Sequence, residues 1–157
     1  MTEFHAPTRR RTLRFNDLSE VMPEVERLRR SHRTTGRWTL AQVCRHLADS
    51  FNGSIDGFGV RNHRVMRWLF GRRALQQVFA GETLGRGFTV TKNLDPPETC
   101  DENDCVEALA QAIQRFTDTS GPLHFHPFFG DLTRPEWDRL HRIHCAHHLS
   151  FVVPCAD

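Results

Sequence analysis

Two segments of this chain begin with the same four-residue signal. Thr39-Leu40-Ala41-Gln42 and Thr133-Arg134-Pro135-Glu136 both read as capping boxes. In each, the threonine oxygen takes a free backbone N–H of the first turn, and the Gln or Glu side chain reaches back to the threonine's own N–H. Pro135 falls in the first turn, where its missing N–H costs little. Both segments are therefore committed to helix, and the apolar residues agree. After Thr39, one stripe carries Leu40, Val43, Cys44, Leu47, Phe51, Ile55 and Phe58 and ends around Gly57 and Gly59. Leu18, Val21, Met22, Val25 and Leu28 mark a helix over about Asp17 to Ser31, with Asn16 or Asp17 as its cap. Val65, Trp68, Leu69, Leu75, Val78 and Phe79 supply a further helix over about His63 to Phe79, with Gly71 as a break or kink. Val106, Leu109, Ile113 and Phe116 mark another over about Asp104 to Asp118, and the last runs from Thr133 to about Val152.

Residues 80–103 read as a long loop, punctuated by Gly81, Gly85, Gly87, Pro96 and Pro97, in which Phe88 to Thr91 could be a short extended piece. A second loop covers residues 120–130. One-sided helices bury their stripes most economically against each other. The expected fold is all-α: a four-helix up-and-down bundle with one long loop and a possible short extra helix. A length of 157 residues suits one domain. We expect residues 1–15 to be a basic, irregular arm and residues 16–157 to form that domain.

The five cysteines are odd in number and contain no Cys-x-x-Cys pair, and no secretory apolar segment follows the start. These features predict free thiols, a reducing compartment and a cytoplasmic location. No apolar run approaches the length of a membrane span. A net charge of +2 gives no reason to expect nucleic acid as a partner. Arg61, Arg64, Arg67, Arg72 and Arg73 read first as a solvated helix face, and second as a basic rim for an acidic substrate.

Of the ten histidines, six lie between His124 and His148. On a helical wheel, Trp137, Leu140, His144 and Phe151 share one side of the last helix, so His144 falls in the face that should be buried. A buried imidazole needs a partner. His148, four residues on, projects from the same side, and two such nitrogens can converge on one ion. A third ligand must come from elsewhere: His46, His63, His124, His126, Asp49 and Cys44 are the candidates. Periodicity does not choose His46, which lies off its helix's apolar stripe. It shares a side with Ser50, Gly53 and Gly57, which could face a cleft or equally solvent.

The segment Trp38-Thr39-Leu40-Ala41-Gln42-Val43-Cys44-Arg45-His46-Leu47-Ala48 resembles the second-helix motif of the DinB/YfiT-like metalloenzyme superfamily. His144-Cys145-Ala146-His147-His148 resembles its late His-x-x-His-His motif. His126-Pro127-Phe128-Phe129-Gly130-Asp131-Leu132-Thr133, then Glu136-Trp137 and His148-Leu149-Ser150-Phe151, are similar to the branch known as domain of unknown function 1569. The resemblance implies a four-helix bundle with a divalent metal, zinc or nickel, near one end of the core. His46, His144 and His148 map onto the ligands, and the remaining positions are open to water or substrate. Relatives include thiol-dependent transferases and metal-dependent hydrolases. Ser150 stands where many members carry glutamine. His147, turned away from His148, reads as a supporting or packing residue.

Three neutral imidazoles leave a metal its full charge, so an open position can acidify water for hydrolysis or a thiol for transfer. The expected partner is a small-molecule substrate or thiol, with a homodimer possible. Asp49, Asp131, His126 and His141 are candidate acids or bases, and His126 equally reads as a histidine that holds its turn. Cys145 reads as a small buried or half-buried hydrophobe, and Trp38 and Trp137 as core residues at helix starts. The alternative is a non-catalytic binding or stress-associated module with a structural metal or none.

Overall fold

Helix α2 (Leu40–Asp56) begins at the first capping box, with Thr39 accepting from the Gln42 N–H and Gln42 returning a bond to Thr39. The computed structural model describes residues 10–59, 70–85 and 94–155. Among these the chain is mostly helical. A short 3-10 turn (Leu18–Glu20) leads into α1 (Val21–Arg30), and α2, α3 (Arg72–Gly81), α4 (Glu102–Asp118) and α5 (Arg134–Leu149) follow. Strands β1 (His32–Thr34) and β2 (Val152–Pro154) pair antiparallel, with Arg33 opposite Val153.

Each stripe finds its place. Asp17 caps the 3-10 turn through the Ser19 N–H, and Leu18, Val21, Val25 and Leu28 are buried. The broadest helix–helix contact is that of α2 with α4, where Leu40, Val43, Leu47 and Phe51 meet Val106, Leu109, Ile113 and Phe116 in one core. Helix α5 packs on another side of α2 and also touches α1. Helix α3 is tied to α5 through Arg139, whose guanidinium donates to the Phe79 carbonyl at 2.7 Å, lies over the Phe79 ring and pairs with Glu82.

Three element limits differ from the sequence reading. Helix α4 starts two residues earlier than Asp104, because Asp101 caps it by accepting from the Asp104 N–H. Helix α5 stops at Leu149 instead of Val152, so Phe151 lies outside it. Val152-Val153-Pro154 is two β-branched residues before a proline, a run that suits extended backbone, and it pairs with the segment after α1. The chain is thus mostly α with one small sheet. The helix expected over His63 to Phe79 is seen only as Arg72–Gly81; His63 to Leu69, Arg61, Arg64, Arg67 and the extended piece at Phe88 to Thr91 lie outside the described residues. Of the remaining arginines in that cluster, Arg72 pairs with Glu136 at 2.9 Å.

Residues 10–15 carry no helix or strand, yet they are docked. Arg11 donates its N–H to the Ser150 carbonyl and its side chain pairs with Glu24, while Phe15 is buried in the core. No described helix is long and apolar enough to cross a membrane.

Gly71, just before α3, lies against the loop that follows α4: a Cβ there would stand 2.7 Å from the Phe128 carbonyl oxygen and 3.1 Å from that of Phe129. Backbone cannot yield as a side-chain tip can, so Gly71→Ala is expected to destabilise the fold by about 1–3 kcal/mol. Urea unfolding measures it; an unchanged midpoint would mean that this contact is not held.

Candidate metal centre

His46 comes from the middle of α2, and His144 and His148 from one side of α5 a turn apart. The two helices bring the three rings together, with ligand atoms all within 4.8 Å of one another, and the cluster could hold a metal ion. The Nε2 atoms of His46 and His144 are 3.1 Å apart. The His148 ring centroid lies 4.4 Å from that of His46 and 4.7 Å from that of His144.

The hydrogen bonds around the rings fix their lone pairs. His46 Nδ1 lies 2.8 Å from the Leu94 carbonyl oxygen, which can only accept. Nδ1 therefore carries the proton, and Nε2 turns a lone pair toward His144. His144 Nδ1 lies 3.3 Å from Ser50 Oγ. Without a cation, His144 must offer an Nε2–H to His46 while the Ser50 hydroxyl donates to Nδ1. With a cation, both Nε2 lone pairs face it and the Nδ1–H donates to Ser50. A hydroxyl serves either arrangement because it both donates and accepts. Two nitrogens each about 2.0–2.1 Å from one tetrahedral ion lie about 3.3–3.4 Å apart. The His46–His144 separation is within a few tenths of an ångström of that, and with all three ligand atoms inside 4.8 Å a small turn of the rings would bring them onto one zinc-sized ion.

Burial also prepares the rings. It lowers the pKa of His46, against the opposing pull of the Leu94 bond and of Asp49 and Asp95. His144 is held well below the ordinary value by burial and then by its neighbours His148 and His46, and His148 by burial and then His46. All three are neutral near pH 7, the state in which imidazole is a ligand. Trp38 covers them, its ring 5.4 Å from His148 in a near-parallel stack and 4.8 Å from His46.

A cavity of about 200 Å³ opens beside the cluster. Arg37, Asp95 and Leu84 line it together with the three histidines, and Phe58, Phe129 and Trp137 also contribute. The side of α2 that carries His46 and Ser50 thus faces a cleft, the first of the two possibilities its sequence left open.

The other candidates go elsewhere. Cys44 is buried in the core, and burial pushes its thiol up to about 12. Asp49 pairs with Arg45 at 3.1 Å. His124 and Asp131 are exposed, and His63 lies outside the described residues. His126 lines the cavity, and its Nδ1 accepts from the N–H groups of Phe128 and Phe129 at 3.1 and 3.0 Å, so it holds its turn. His141 borders the cavity but is buried: it stacks on Phe51 at 4.0 Å and bonds Ser54 Oγ at 3.2 Å. His147 bonds Arg10 at 3.1 Å and, through the backbone, Leu84. Ser150 is buried and its hydroxyl donates to the His147 carbonyl at 2.6 Å. Cys145 is fully buried, the first of the two readings its position allowed, and Trp137 is buried too; Trp38 is only half-buried. Sequence reasoning missed Trp38 as a cover and Leu94 as a partner. A backbone carbonyl carries no residue-type signal, but the tryptophan one residue before a capping box, eight before His46, was visible.

A family model described as protein of unknown function (DUF1569) matches residues 7–155. No curated protein and no solved structure matches the chain.

The buried histidines set an acid limit to stability. Burial lowers the His141 pKa from 6.5 to about 3, and burial with the nearby Arg10 lowers that of His147 to about 4. Between those values and 6.5 the unfolded chain binds more protons than the folded one. Their contribution is full above about pH 6.5 and is lost as pH falls through that window. With chelator present, the urea midpoint should be nearly flat between about pH 7 and 8 and fall steadily below that range, and His141→Phe should flatten the fall. An identical slope in the variant would show that His141 is not held neutral.

Proposed function

The chain belongs to the DUF1569 family, and on that footing we propose that it is a metal-dependent enzyme, a small-thiol transferase or a hydrolase, built on His46, His144 and His148. The proposed metal is zinc or nickel, both of which imidazole nitrogens suit. One observation carries the reading. A lone pair on His46 Nε2, fixed by the bond from Nδ1 to Leu94, faces a second imidazole nitrogen at 3.1 Å at the edge of a cavity.

When bound, such a metal supplies a positive centre that stabilises hydroxide or thiolate near neutral pH. The chain's own residues do the rest. Leu94 and Ser50 hold the rings of His46 and His144 in orientation. Trp38 shields the cluster on one side, while the cavity leaves room on another for a small molecule. A purely structural ion would instead call for a closed shell of protein ligands. In the same reading the helices form a DinB/YfiT-like four-helix bundle in one domain, acting on small molecules.

Elemental analysis of the purified protein tests this. About one equivalent of metal is expected in the wild type or after reloading with zinc or nickel, and none in a folded His144→Ala. Ser50→Ala should keep the fold and weaken metal binding by about tenfold or more. No metal in the reloaded wild type would overturn the proposal, as would full retention in His144→Ala.

A further inference from the structure

Two residues that line the cavity beside the histidines carry full charges of opposite sign, Arg37 and Asp95. Both are exposed, which puts them at its open side. Each is held near the cluster by its neighbour in the chain. Arg37 precedes Trp38, whose ring covers His46 and His148. Asp95 follows Leu94, whose carbonyl accepts from His46. Gln42 ties the two segments together: its side chain accepts from the Thr39 N–H at 3.0 Å and donates to the Pro97 and Glu98 carbonyls at 3.0 and 3.2 Å. Nearby arginines are matched with carboxylates, Arg11 with Glu24, Arg72 with Glu136 and Arg139 with Glu82. The Arg37 and Asp95 side chains make no ion pair or hydrogen bond with a described residue, each other included.

A guanidinium only donates and an ionised carboxylate only accepts. A ligand that brings only an anion gains from Arg37 and is repelled by Asp95, and one that brings only a cation meets the reverse. A group with both signs side by side satisfies both. We propose that the cavity takes a small zwitterion, an α-amino acid or a compound that ends in one, whose carboxylate meets the Arg37 guanidinium and whose ammonium meets Asp95, while the rest of the molecule reaches inward to the three-histidine cluster. An α-amino acid end carries both charges on one carbon, as compact a group as a cavity of about 200 Å³ asks for. Its charges also stay at the wet side, so neither has to be stripped of water among the rings deeper in. This inference rests on the metal-centre reading above and narrows its substrate to amino-acid-like compounds.

The test uses zinc-loaded protein, with zinc content measured first, at low ionic strength because exposed charges are screened by salt. The probes are hydroxamates, which seek the metal at one end: the β-hydroxamate of aspartate, the γ-hydroxamate of glutamate and, for each, the analogues lacking the ammonium, the carboxylate or both. At one of the two lengths the zwitterion is expected to bind the wild type about tenfold more tightly than the analogue lacking both charges. Arg37→Gln should cancel the gain from the carboxylate and keep that from the ammonium, and Asp95→Asn should do the opposite. Both side chains are exposed and unpaired, so both variants should keep the fold and the zinc. A zwitterion that binds no better than its uncharged analogue at either length overturns the inference while the metal reading stands. So does a gain that comes from one charge alone, or one that survives either substitution. A wild type that takes up no zinc or nickel, or that holds zinc and binds no hydroxamate at all, overturns both.

Discussion

Helix α2 has to satisfy two different neighbours with one run of residues, and the site depends on how it does so. Toward α4 it presents a full apolar stripe, with Phe51 against Phe116 at 5.5 Å. Toward α5 it presents small and polar residues, and two of these are serines a turn apart. Ser50 meets His144 and Ser54 meets His141. Each hydroxyl supplies a buried imidazole with a partner that an aliphatic side chain could not offer. Gly53, between them, leaves room for the Phe58 ring, which an added Cβ would approach to 2.5 Å. Had that side been apolar, α5 could have packed there, but its histidines would have been stranded.

Much of this was legible. Both capping boxes form, and the apolar stripes of α1, α2 and α4 are buried as their periodicity implies. The pairing of His144 with His148 follows from helix spacing alone. His46 was less accessible. Its position off the stripe was plain, but whether that side faced water or a cleft depends on where α5 docks, which no local pattern encodes. The end of α5 was misjudged because Phe151 continues the wheel, while the competing signal in Val152-Val153-Pro154 becomes decisive only with β1 alongside. Leu94 lay in a segment read as featureless loop, and its contribution is a backbone oxygen.

Burial acts on the histidines in two directions at once. It strips water from the imidazoles, which discourages protonation and so keeps their lone pairs available. The same desolvation makes the rings costly to leave unpaired; Leu94 and Ser50 relieve part of that cost in the cluster, and Ser54 does so for His141. Arg10, donating to His147 from residues that carry no regular structure, adds a positive charge that keeps that ring neutral as well.

The stacking of Trp38 on His148 gives the protein an optical reporter at its own site. Indole emission responds to nearby charge and is quenched by paramagnetic ions at contact range. A ring 4.8 to 5.4 Å from two of the three imidazoles therefore registers what those imidazoles hold. Nickel should darken the Trp38 share of the emission and zinc should only shift it, so that protein loaded with one could be told from protein loaded with the other in a cuvette without adding any dye.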